Sequence, residues 1–290
     1  MVEKLKIGTL IKRIRKSKSL TQEQVANAMM ITRPYLAKIE NNHHQISSEK
    51  LTYILDYCNV NYDEFLFMKN DFKVSEKTGT YSEIIDMYVK NDFESVNKLK
   101  EHSQYKFEET QDIYYRHLVI LCECIAMKFD IEKIPEFYRQ ELTEYLMSVN
   151  EWTYYELVLF NNFLYLFPPN TTMLLADNLI DRALKYKELK SDYEIIGMLL
   201  FNLINISFKI KNYKKIDIFL NVAKKLYSEQ NRFFEQTMIK YYTGLRMILD
   251  KKEEGIGLSR QALEVFKLLD HHDLYTFYEG RLHQLLKEME

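Results

Sequence analysis

Apolar positions along the first part of the chain repeat at the helical period. Ile7, Leu10, Ile11 and Ile14 fall at i, i+3, i+4 and i+7 and form one face, with Lys12, Arg13, Arg15 and Lys16 off it. Thr21 then offers an N-cap, and Gln24 stands three residues on as in a capping box. Val25, Ala26 and Met29 supply the inner face of a second helix. Thr32-Arg33-Pro34 opens a third helix, with Pro in the first turn where its missing N–H costs nothing. A fourth is expected from Ser47-Ser48 with Leu51, Ile54 and Leu55, and a short fifth after Asn61 with Phe65 and Leu66. The pattern breaks between residues 69 and 80, which are expected to be a linker. Residues 1–68 and 81–290 then form two domains.

Beyond residue 80 the chain reads as helical almost throughout, and long helices start near Glu151, Ser191, Arg232 and Asp273, about 40 residues apart. Ala183, Ala223 and Ala262 recur at nearly the same interval in "RALKY", "VAKKL" and "QALEV". Small residues at fixed phase let two helices approach closely, so each unit reads as a helical hairpin stacked on the next. The fold class expected is therefore all-α: a five-helix head followed by a TPR-like α-solenoid of stacked hairpins. A non-repetitive bundle is the alternative architecture for the body.

Composition supports this reading. Of 290 residues only 7 are Gly and 4 Pro, so helix breakers are scarce. Hydrophobic residues at 47% provide a core and argue against disorder. The net charge of −2 conceals an asymmetry: residues 1–50 carry ten Lys/Arg against four Glu, a net +6, which leaves −8 for the rest. A basic head on an acidic body is what is expected when only the head meets a polyanion. The cysteines (Cys58, Cys122, Cys124) are odd in number and lack zinc spacing, which fits reduced thiols in the cytoplasm. One of the Cys122/Cys124 pair is expected in the core. No leader is expected from the charged N-terminus. The longest uncharged stretch, Leu157–Ala176, is broken by Asn161-Asn162 and by Pro168–Thr172, so no membrane span is expected.

Five short helices with a tight second-to-third connection are the geometry of a helix-turn-helix domain, whose third helix enters the major groove by its N-terminal end. The side chains expected to face double-stranded DNA are Arg13, Arg15, Gln22, Thr32, Arg33, Tyr35 and Lys38. Arg33 suits a bidentate pair with a guanine edge. Thr32 and Tyr35 suit a phosphate or thymine methyl, and Gln22 a phosphate or base. In the body, Asn161 interrupts "ELVLFNNFLYLF", while Asn202 and Asn205, at i and i+3, share a face of "GMLLFNLINISF". An amide both donates and accepts, which matches the backbone of an extended peptide, and equally it can tie neighbouring helices. Tyr241 and Arg246 are further candidates of the same sort.

The run "LTQEQVANAMMITRPYLAKIENN" with "ISSEKLTYILDYCNVNYDEF" resembles the Cro/CI-type (XRE) helix-turn-helix family over about 60 residues, including Gln22, Ala26 and Ile39-Glu40. Asn41-Asn42 replaces the family's usual Arg/Lys-Gly, and Asn can supply the positive φ that Gly would give. The combined architecture, with "NEWTYYELVLFNN" (150–162), is similar to the Rgg/MutR regulators of low-GC Gram-positive bacteria. That resemblance implies a homodimer joined through the C-terminal helices, and a short signalling peptide bound in the groove of the repeats. It does not extend to an intersubunit disulfide, because no Cys lies near Gln45.

There is no Gly-rich phosphate loop, no His-Glu-x-x-His and no Gly-x-Ser-x-Gly, so an enzyme is not expected, nor a cofactor or a metal. His43-His44 and His271-His272 read as solvated loops. Two other functions fit the same pattern: a protein-binding scaffold that does not touch DNA, and a dimeric regulator that takes no ligand.

Overall fold

The computed structural model describes residues 5–74, 76–189, 192–228 and 231–289, and these are helical with no strand among them. The chain separates into two compact units, Met1–Asp92 and Phe93–Glu290.

The first unit holds α1 (Ile7–Ser17), α2 (Gln22–Ala28), α3 (Arg33–Glu40), α4 (Ser48–Tyr57), α5 (Tyr62–Lys69) and α6 (Glu76–Val89). Leu10, Ile11, Ile14, Val25, Ala26, Leu36, Ile39, Ile54 and Phe65 close its core. The helix starts follow the capping chemistry. Thr21 Oγ1 accepts from the Gln24 N–H at 3.1 Å while Gln24 Oε1 accepts from the Thr21 N–H at 2.8 Å. Asn61 and Glu64 repeat the arrangement at α5. Thr32 sits at the N-cap of α3 without a side-chain capping bond. The stretch expected as a linker is only partly irregular, since α6 begins at Glu76 and the first unit continues to Asp92. Ser75, inside that stretch, lies outside the described residues.

The second unit runs from α7 (Phe93–Thr110) and α8 (Ile113–Ala126) through α9 (Glu136–Ser148), α10 (Tyr154–Phe163) and α11 (Pro169–Lys185). It continues with α12 (Tyr193–Lys209), α13 (Tyr213–Tyr227), α14 (Phe233–Leu249), α15 (Glu254–Leu268) and α16 (His272–Met289). The helix start expected at Ser191 lies outside the described residues, and α12 opens at Tyr193. Helices α12/α13 and α14/α15 pair as hairpins, and α8, α10, α12, α14 and α16 form one layer, each against the next, while α9, α11 and α13 form the second. This is the stacking of a TPR-like solenoid.

Ala183, Ala223 and Ala262 lie on α11, α13 and α15 and are fully enclosed, as their fixed phase requires. In the second unit α14 and α15 approach closely, and a Cβ on Gly244 would stand 2.6 Å from the Gly255 carbonyl oxygen. Both Cys122 and Cys124 are buried, where only one was expected, because α8 is enclosed nearly all round. Among the described residues no helix is long and apolar enough to cross a membrane.

Candidate nucleic-acid interface and body site

In the head, α3 turns Thr32, Arg33 and Lys38 outward to solvent. Tyr35, half-buried beside them, has Lys50 Nζ 5.1 Å from its ring centroid and the His44 ring 5.5 Å away. Arg13 is exposed, with its guanidinium 5.7 Å from the centre of the Phe72 ring.

One of the DNA-facing expectations needs correction. Arg15 is 8% exposed and reaches inward: Nε donates to Glu40 Oε1 at 2.5 Å, Nη2 to Glu40 Oε2 at 2.9 Å and Nη1 to the Leu20 carbonyl at 2.7 Å. Gln22 Nε2 donates to the same carboxylate at 2.8 Å. Burial alone would push the Glu40 carboxyl up, but the hydrogen bonds from Arg15 and Gln22 outweigh it and hold the group below its ordinary value. Arg15 and Gln22 therefore lock α1 and α2 onto α3, which sets the angle at which α3 is presented. The periodicity had placed Arg15 off the Ile7/Leu10/Ile11/Ile14 face, and a long side chain crosses that distance easily.

The turn after α3 is held by its two asparagines. Asn42 has φ 61°, its Oδ1 accepts from the Gly8 N–H at 3.0 Å, and its Nδ2 donates to Thr9 Oγ1 at 2.8 Å. Asn41 Oδ1 accepts from Lys12 Nζ at 3.1 Å. The two asparagines thus clamp the end of α3 to α1.

In the body the candidates separate. Asn202 and Asn205 are half-buried on one face of α12. Asn202 Oδ1 accepts from the Tyr165 hydroxyl at 3.3 Å. Asn205 Oδ1 accepts from the Tyr242 hydroxyl at 2.8 Å and from Arg281 Nη1 on α16. Asn161 is half-buried with its Oδ1 enclosed and unpaired among the described residues.

Tyr241 is fully enclosed, its hydroxyl given to the Tyr278 carbonyl at 2.7 Å, so it ties α14 to α16 and is out of a ligand's reach. Arg246 is likewise committed, with Nε on Asp217 Oδ1 at 2.9 Å and Nη1 on Asp250 Oδ1 at 2.5 Å, joining α13 to α14. Sequence reasoning missed Tyr165 and Arg281. Arg281 meets Asn205 across 76 positions of chain, and no local pattern signals such a contact.

Comparison with known proteins bears on both units. The family model described as "Helix-turn-helix" matches residues 11–65. The one described as "HTH-type transcriptional regulator Rgg, C-terminal domain" matches residues 96–280. The chain belongs to the Rgg family. Among solved structures, this Rgg-family chain is similar to a putative transcriptional regulator from Listeria monocytogenes EGD-e, at 23% identity, 99% of each chain and a TM-score of 0.84. It is also similar to the SHP pheromone receptor Rgg2 of Streptococcus dysgalactiae, at 21% identity over 96% of this chain and 99% of that one, with a TM-score of 0.77. A PrgX/iCF10 complex follows at 19% identity, 98% and 97% coverage and a TM-score of 0.74.

Within segment 150–162, Trp152 and Glu156–Phe160 are internal, while Glu151, Thr153 and Tyr154 are exposed. Trp152 is 2% exposed and donates from Nε1 to the Leu146 carbonyl at 3.2 Å. Glu156 caps α10 at Thr153 and accepts from the Tyr145 hydroxyl at 2.7 Å. Tyr155 meets Nδ1 of the enclosed His117 at 2.6 Å. Trp152, Tyr155 and Glu156 thus build the joint between α8, α9 and α10.

Proposed function

We propose that this helix-turn-helix regulator works in the cytoplasm as a homodimer and that a short peptide, bound by the α10–α16 layer, adjusts its hold on DNA. The observation that carries the peptide reading is the pair Asn202 and Asn205. Their amides are half-exposed on one helix face, next to Tyr165 and Arg281. Each amide keeps an Nδ2 donor for a carbonyl, and partners of this kind suit a peptide backbone whatever its side chains. Support also comes from the structural neighbours, since one is a pheromone receptor and another a PrgX/iCF10 complex. For DNA, Thr32 and Arg33 are exposed at the start of α3 and Lys38 in its last turn, and Arg13 on α1 adds charge for the phosphate backbone. For the dimer, Leu268, Leu269 and Phe277 near the C-terminus are 81%, 60% and 56% exposed, an apolar surface that a second copy would cover.

The experiment is binding of the purified protein to its own upstream intergenic DNA over a salt series, with and without spent culture medium. Selective, salt-sensitive binding that shifts with the medium is the expected result. Asn202→Ala is expected to weaken the shift and leave DNA affinity in its absence unchanged. Selective binding indifferent to the medium would remove the peptide from this reading, and loss of selectivity altogether would replace it with a protein-binding scaffold.

A further inference from the structure

A cavity of about 190 Å³ opens between α12, α14 and α16, directly beside Asn205. Its walls are apolar at Phe208, Leu245, Leu249 and Leu285. Its rim is cationic, with Arg281, Lys209 and Lys211 against the single carboxylate of Glu288. Glu288 is itself engaged by the Gln284 amide, whose Nε2 donates to it at 3.0 Å. Arg281 gives one donor to Asn205 and, among the described residues, takes part in no ion pair.

A guanidinium offers five N–H donors in a planar fork that matches a carboxylate bidentately, and here four of them are not spent on Asn205. The cavity is smaller than the roughly 300–1,000 Å³ of a typical small-molecule site, so it has room for about one residue. The occupant must present an anion to Arg281 and an apolar group to the leucines from nearly the same point. Within a peptide that combination occurs at the C-terminal residue, where the free carboxylate and the side chain share one Cα. An internal Asp or Glu would bring the charge but leave the apolar walls unfilled.

On this geometry, and resting on the peptide reading above, we infer that the cavity takes the C-terminal residue of the peptide. Its carboxylate lies on Arg281 and its apolar side chain among Phe208, Leu245, Leu249 and Leu285. The preceding amides then run along α12 toward Asn202 and Tyr165, which fixes the direction of the bound chain. A fatty acid shares the terminal carboxylate and apolar chain, but it has no amides for Asn202 to meet.

The test uses the full chain and ligand-observed saturation-transfer titrations. The probes are N-acetyl-Ala-Ala-Leu and N-acetyl-Ala-Ala-Phe as free acids, the same peptides as carboxamides, and decanoate. The acids are expected to bind at least roughly tenfold more tightly than the amides, the scale of a lost charge-assisted hydrogen bond. Arg281→Gln should abolish that difference and Arg281→Lys should keep part of it, with circular dichroism confirming that both variants fold. Met289→Glu, at an exposed position of the rim, should weaken the acids and leave the amides unchanged. Equal binding of acids and amides, both weakened by Asn202→Ala, would overturn the carboxylate pocket and leave the peptide reading standing. Arg281-dependent binding of decanoate with no binding of any tripeptide would overturn the peptide reading and this inference with it.

Discussion

The Gly8 N–H donates to Asn42 Oδ1 at 3.0 Å, and a Cβ on Gly8 would stand 1.9 Å from the Ile39 carbonyl oxygen. The first helix of the head can meet the end of α3 this closely only because position 8 has no side chain. Gly8→Ala gains about 1 kcal/mol of helix propensity and loses more through the backbone clash. A net destabilisation on the order of 2 kcal/mol is expected in urea unfolding, together with weaker DNA binding. Unchanged stability would mean that α1 and α3 can separate freely.

The Arg15–Glu40 pair supplies a second prediction. Arg15→Ala leaves a carboxylate that is 1% exposed without its main partner, which costs about 3–5 kcal/mol. Replacing both, as Arg15→Met with Glu40→Leu, should recover most of that stability and also restore selective DNA binding. A stable double variant with no selectivity would show that Arg15 itself touches DNA.

Arg33 and Lys38 are both exposed on α3 but are expected to fail differently. Arg33→Ala should relax sequence preference and cost about 1–3 kcal/mol at one base position. Lys38→Ala should weaken all sequences alike and lower the salt slope by about 1. Neither should move the melting temperature. Operator titrations at several salt concentrations separate the two patterns.

Acid stability should depend on His117. It is fully enclosed, and burial pushes its pKa down to about 4, with Glu141 opposing that shift, Arg116 adding to it and Glu156 opposing it. Unfolded, the ring titrates at about 6.5. Between those values the unfolded chain binds the extra proton, so stability falls as pH drops from about 6.5 to about 4 and this contribution is constant below. The loss should approach roughly 3 kcal/mol. Urea unfolding at pH 7.5 and pH 5 checks it, and His117→Phe should flatten this part of the profile.

Local chemistry made much of the fold readable. Thr21 with Gln24 fixed the start of α2, and the 40-residue recurrence of Ala183, Ala223 and Ala262 marked the stacked hairpins. What a residue's face does depends on partners far along the chain, and there the reading was weaker. Arg15 looked like a surface cation until Glu40 closed on it, 25 positions away. Tyr241 stood beside the asparagines as a candidate, yet it is enclosed and tied to α16. The run from Trp152 to Phe160 signalled the family but not its own role, since Trp152, Phe160 and Glu156 turn inward. Arg281 had no sequence signal, because its meaning comes from Asn205 on another hairpin.

The buried thiols have a practical consequence. Cys58 lies in the core of the first unit, and Cys122 and Cys124 lie in the second, the latter two pushed up to about 12 by burial. None presents a reactive thiolate while the fold is closed. Alkylation by a small thiol reagent must therefore wait for an opening event, and its rate at each site reports how often that region breathes. The wild-type chain thus carries a natural clock in each unit. Following Cys58 and the Cys122/Cys124 pair separately by mass would show whether DNA quiets only the head and a ligand only the body, or whether each one slows both.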